Sequence, residues 1–190
     1  MARAADPLNV PTGSTGGSRS RRVTRFKRSH VSHIFVRYFR GMPVDVLTGI
    51  EIARPREAVA GYACDPANAT AWYENIKRVE WKTAPPVAVG SKIAFVARFL
   101  GRELAYTYEV QVLEPNEKLV MRTDEGPFPM ETTYAWESLP NGGTRMTLRN
   151  RGEPAGFSQV AAPIMALAMR RANQRDLARL RRILESAAEG

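Results

Sequence analysis

A chain of 190 residues that is 44% hydrophobic and 25% charged has the balance of a globular domain with its own core, not that of a fibrous or low-complexity chain. Its single cysteine, Cys64, excludes an intramolecular disulfide, and its two histidines, His30 and His33, have no Cys/His cluster around them that could form a zinc site. The net charge of +9 is unevenly spread: residues 1–43 carry nine Lys/Arg and one acid, whereas residues 44–190 carry 19 Lys/Arg and 18 Asp/Glu. The basic patch expected on a nucleic-acid-reading fold is therefore missing from the regular part of the chain, which predicts no nucleic acid as a partner of that part.

Residues 1–43 read as a disordered basic leader, since PTGSTGGSRSRR cannot build a core. The segment HVSHIFVRYFRG then mixes Ile34, Phe35, Val36, Tyr38 and Phe39 with arginines. Its readings are an element that makes weak contact with anionic membrane, a transit-like leader, or an over-extended frame with the native start at Met42. No secretory h-region follows the charges and no run of about 18 apolar residues occurs, so the expected location is cytoplasmic.

From Val44 the pattern is regular, and 44–190 is the expected domain. VDVLTGIEIA alternates as a strand. RPREAVAGYACD predicts a helix with Pro55 near its start, and PANATAWYENI a second short helix with Asp65 as N-cap and Pro66 at N1. RVEWKT, SKIAFVARF, ELAYTYEVQVLE, KLVMRT, METTYAWESL and TRMTLRNRG follow as strands, punctuated by turns such as EPNE and PNGG. A long helix over about 157–187 closes the chain, with Leu177, Leu180 and Leu184 at helical spacing and Met169 and Asn173 above them. One long helix must cover the apolar face of an antiparallel sheet of about seven strands. This predicts an α+β fold in which a curved sheet wraps around the C-terminal helix, with the two short helices plugging the open end.

Alternation sorts the strands into faces. Ile93, Phe95, Ala97 and Phe99 are expected inside, as are Leu104, Tyr106, Tyr108, Val110 and Val112. Thr132, Tyr134 and Trp136, Met146 and Leu148, Val79 and Trp81, and Leu119, Met121 and Thr123 join them. The inner face is then apolar with a few hydroxyl and amide tips, and it carries no carboxylate, Lys or His. That composition suits a ligand cavity better than paired acid–base catalysis. The expected cavity lining is Trp81, Phe95, Phe99, Tyr106, Tyr108, Met121, Thr132, Tyr134, Trp136, Met146, Met169 and Asn173. Trp72 is placed at the cavity mouth, with a packing anchor as the competing role. No catalytic set, metal site or cofactor is expected. Arg170, Arg171, Arg175, Arg179, Arg181 and Arg182 on the closing helix read as a solvated face or, in competition, a site for anionic lipid or phosphate. Gly142-Gly143 reads as a hairpin turn.

This order of elements resembles the START-like superfamily, specifically the polyketide cyclase/dehydrase and lipid transport family of actinobacterial type. The resemblance is carried by VDVLTGIEIARPREAVAGYACDPANATAWYENIKRVEW, PNGGTRMTLRNRGEP and RRANQRDLARLRRILES. It implies a helix-grip fold over about residues 44–187 and a hydrophobic small-molecule ligand such as a lipid, quinone or polyketide. One fold hosts many functions, so two other functions stay open. One is an aromatase/cyclase or dehydratase in which Tyr106, Tyr108 or Tyr134 polarises a carbonyl. The other is a regulatory or toxin–antitoxin component.

Overall fold

The computed structural model describes residues 44–99, 101–126, 129–152 and 161–187, apart from the side chains of Phe99 and Ala161. The leader therefore lies outside the described residues. Strand β1 (Val44–Ile52) leads to helix α1 (Arg56–Cys64), a 3-10 turn (Pro66–Asn68) and a one-turn helix α2 (Ala69–Trp72). Strands β2 (Ile76–Trp81), β3 (Lys92–Phe99), β4 (Arg102–Glu114), β5 (Lys118–Glu125), β6 (Met130–Ser138) and β7 (Thr144–Gly152) follow, and helix α3 (Ala161–Ser186) comes last. The seven strands form one antiparallel sheet in the order β1-β7-β6-β5-β4-β3-β2, so each strand from β2 to β7 pairs with its chain neighbour and β1 closes on β7. This is the helix-grip fold expected from the pattern.

Local chemistry sets the boundaries. Asp65 Oδ1 accepts the Ala67 N–H at 2.9 Å, with Pro66 at the first position of the 3-10 turn, as its role as N-cap requires. In the β6–β7 hairpin, Asn141 Oδ1 accepts the Gly143 N–H and Gly142 takes φ +81°. A Cβ on Gly143 would stand 2.9 Å from the Ile52 carbonyl oxygen, so β7 can lie against the end of β1 only with glycine there.

Two expectations need correction. The second short helix was expected to reach Ile76, but α2 stops at Trp72, and Tyr73 is extended at φ −78°, ψ 120°. Extension lets the Tyr73 hydroxyl meet Tyr134 and turns the Glu74 N–H to the Asp176 carboxylate. These two tertiary hydrogen bonds outweigh a further weak helical turn. In β4, alternation predicted Val112 inside. The register slips between Val110 and Val112, so Leu113 pairs with buried Leu119 and packs on the core in place of Val112. A bulge adds one residue and moves the following side chains to the opposite face.

Helix α3 lies across the concave face of the sheet. Leu177, Leu180 and Leu184 are buried with Ile52, Val59, Trp136, Met146 and Leu148 in one core. Near its N-terminal end, Ala162 and Met165 pack on Val44 and Val46 of β1. No helix among the described residues is long and apolar enough to cross a membrane.

Candidate functional site

Between the N-terminal half of α3 and strands β3 to β6 the concave face is not filled. A cavity of about 490 Å³ remains. Its apolar wall comes from Ile76, Phe95, Ala97, Leu104, Met121, Met130, Met165, Met169 and Ala172. Tyr106, Tyr108, Thr132, Tyr134, Asn150, Asn173, Asp176 and Tyr73 supply polar atoms, and Asn75 and Arg102 also line it.

Eight residues of the expected lining are on this wall: Phe95, Tyr106, Tyr108, Met121, Thr132, Tyr134, Met169 and Asn173. Three are not. Trp136 and Met146 are buried in the filled core, and Trp81 packs half-buried against its margin. The Phe99 side chain lies outside the described residues. Trp72 is also corrected: it is 0% exposed and stacks on Tyr73 with ring centroids 3.8 Å apart. It is an anchor between α2 and the sheet, with no place at a mouth.

The inventory of the inner face changes as well, because it does hold a carboxylate. Asp176 is 2% exposed and lines the cavity from α3. Three residues beyond Asn173, it falls on the same helical face, and that spacing was the available signal for it. Asn150 stands two residues beyond Leu148 on the inner face of β7, so alternation alone would have found it. Tyr73 was hidden by the overextended helix.

The polar side chains form two groups. In one, Asn173 Nδ2 donates to Asn150 Oδ1 at 2.8 Å, and Asn150 Nδ2 donates to Thr132 Oγ1 at 2.9 Å. The chain of contacts thus ties α3 to β7 and β6, and every partner in it is neutral. In the other, the Tyr73 and Tyr134 hydroxyls lie 2.7 Å apart, and Asp176 Oδ1 accepts the Glu74 N–H at 2.9 Å. Burial lifts the Asp176 carboxyl from 3.8 to about 6, and the nearby Glu74 charge adds to this. The Glu74 N–H and the charges of Arg175 and Arg179 oppose it. Burial likewise raises Tyr73, Tyr106 and Tyr134 well above the ordinary phenol value, and pushes Tyr108 up to about 12 against a hydrogen bond with Thr132. At neutral pH the tyrosines are therefore un-ionised hydroxyl groups, and Asp176 is the cavity group that titrates in the physiological range. No cluster of three or more His, Cys, Asp or Glu suited to a metal ion occurs among the described residues.

A curved sheet gripping one long helix around a mostly apolar cavity defines a START-like helix-grip protein. The sequence narrows this further: residues 43–185 match the family described as polyketide cyclase / dehydrase and lipid transport, and the chain belongs to that family. Solved structures agree on the fold. A protein of Thermus thermophilus is similar at TM-score 0.67 and 18% identity, covering 75% of this chain and 98% of its own. A START superfamily protein of Mycobacterium smegmatis is similar at TM-score 0.66 and 15% identity, covering 75% and 98%. The Zhui aromatase/cyclase of a Streptomyces species is similar at TM-score 0.58 and 15% identity, covering 77% and 94%. No functionally curated protein matches the chain in sequence.

Proposed function

We propose that this protein binds a hydrophobic small molecule, of lipid, quinone or polyketide type, inside the cavity. The observation that carries the reading is a cavity of about 490 Å³, partly open to solvent and walled mostly by apolar side chains, with a few convergent polar groups. This volume and composition are those of ligand sites, whereas a core of this size would ordinarily close up. Micromolar binding corresponds to about −8 kcal/mol, which one enclosed apolar ligand can supply. Native mass spectrometry of protein purified from its own host is expected to show a bound small molecule. An empty protein that also ignores fatty acids, quinones and polyphenols would overturn the reading.

Asp176 beside the Tyr73–Tyr134 pair favours a second reading, a cyclase acting on a poly-keto chain. As a carboxylate, Asp176 could take a proton from a methylene carbon between two carbonyls while a tyrosine hydroxyl donates to the enolate oxygen. The enolate would attack a second carbonyl of the same chain, forming a C–C bond, and the alkoxide so formed would take the proton back. Under this reading Asp176→Asn and Tyr134→Phe each lower the rate of cyclised product by roughly a hundredfold or more. Unchanged product in both variants rejects it.

A further inference from the structure

The two polar groups of the cavity offer a ligand different things, and neither offers a cation. Asn173, Asn150 and Thr132 already satisfy one another in sequence. The Tyr73–Tyr134 pair and Asp176 make up a second polar cluster, where Asp176 has its Oδ1 held by the Glu74 N–H. The charged groups acting on Asp176 are Glu74 before β2 and Arg175 and Arg179 on α3, with the hydroxyls of Tyr73 and Tyr134 also close to it. Arg175 is exposed and reaches Glu74 Oε2 at 3.5 Å, so it turns to solvent and not into the cavity.

Arg102, at the start of β4, is the one cation lining the cavity among the described residues. It is exposed and forms no part of either polar group described above. A carboxylate head group brought to Asp176 would place two negative charges together in a poorly hydrated space, and one of them would have to take up a proton. A hydroxyl or phenol meets no such penalty. It can donate to the Asp176 carboxylate and accept from a tyrosine hydroxyl.

We infer that the Asp176–Tyr73–Tyr134 end of the cavity selects ligands with an un-ionised hydroxyl or phenol head group and rejects those with a carboxylate. The inference rests on the ligand-binding reading above and names its ligand class. The test is isothermal titration calorimetry of the full chain at neutral pH with decanol and with decanoate, which share a tail and differ in the head. Wild type is expected to bind decanol at least about tenfold tighter. In Asp176→Asn the preference shrinks to about threefold or less, because the second negative charge is gone. A readout that needs no variant is proton uptake, taken from heats in buffers of different ionisation enthalpy. Decanoate binding to wild type should take up about one proton, and decanol close to none.

Equal affinities in wild type with no proton uptake would overturn the selection. Loss of decanoate binding in Arg102→Ala would then place the head group at the arginine instead. A preference for decanol that persists unchanged in Asp176→Asn would overturn the role of Asp176. Binding of neither amphiphile would also overturn the selection, and the ligand-binding reading falls with it only if the protein is empty and ignores quinones and polyphenols as well, a distinct result from equal binding of both.

Discussion

The concave face of the sheet is filled at one end and hollow at the other. Where Ile52, Trp136, Met146 and Leu148 meet α1 and the C-terminal half of α3, side chains interlock and leave almost no exposure. Where Phe95, Leu104, Met121 and Met130 face the N-terminal half of α3, space remains. Both ends are built from similar residues. The difference lies in what covers them. The filled end receives Val59, Ala60 and Ala63 from α1 and three leucines from α3, whereas α3 presents Met165, Met169, Ala172, Asn173 and Asp176 to the hollow end. Stability is thus concentrated at one end of a single sheet and ligand chemistry at the other.

The sharpest way to break this division is to empty the filled end. Leu180→Ala removes a side chain with no exposure and should cost about 2–5 kcal/mol. Thermal denaturation followed by circular dichroism would show a fall in melting temperature of roughly 5–15 °C in a domain of this size. A loss under about 1 kcal/mol would mean that the leucine core is not where stability resides.

Asp176 gives the next largest effect, and its sign is opposite to that of a salt-bridged acid. Burial raises its folded-state pKa from 3.8 to about 6, so the fold prefers the protonated form. This contribution to stability is complete below about pH 4 and is lost as pH rises through about 6, a loss of at most about 3 kcal/mol. Relative to Asp176→Asn, wild type should therefore lose melting temperature between pH 4.5 and pH 7. Identical pH profiles for the two proteins would contradict the buried-acid description.

At the hollow end, Ala172→Phe should fill part of the cavity. Ligand affinity is then expected to fall by about tenfold or more while the melting temperature stays within about 3 °C, because a void is being occupied and not created. Displacement of a bound fluorescent hydrophobe would measure it. The smallest effect belongs to the convex surface. Arg149 donates two hydrogen bonds to Asp45, at 2.8 and 2.6 Å, yet both side chains are over 40% exposed. Asp45→Asn should leave melting and binding unchanged within error.

Much of this division was legible in the chain, and the missing parts have physical causes. Strand alternation set the inner faces of β3, β6 and β7 because each faces solvent on the other side. It failed at Val112 because a bulge at Gln111 leaves no mark in a VQVL stretch. It also could not distinguish Met121 on the cavity wall from Met146 in the core, since both alternate inward and only the placement of α1 and α3 decides between them. The hydroxyl and amide tips Thr132, Tyr134 and Asn173 were readable from their faces. Asp176 was overlooked although Met169 and Asn173 on the same helix face were readable, because an acid on a helix carrying six arginines passes for part of its solvated face.

The closure of β1 on β7 also determines when the molecule can be finished. Thr48 Oγ1 donates to the Leu148 carbonyl across 100 positions, and the Ala53 N–H donates to Glu185 Oε1 across 132. Strands β2 to β7 can pair with their neighbours as they emerge from the ribosome, but β1, made before all of them, has no partner until the last strand appears. At about 5–20 residues per second the wait lasts roughly 5–20 s. During that interval the apolar Val44, Val46 and Ile52 and an unpaired strand edge are open to other chains. The yield of folded protein should therefore depend on how crowded the nascent chains are, and slowing initiation or cooling the culture should raise it more than any change to the finished fold.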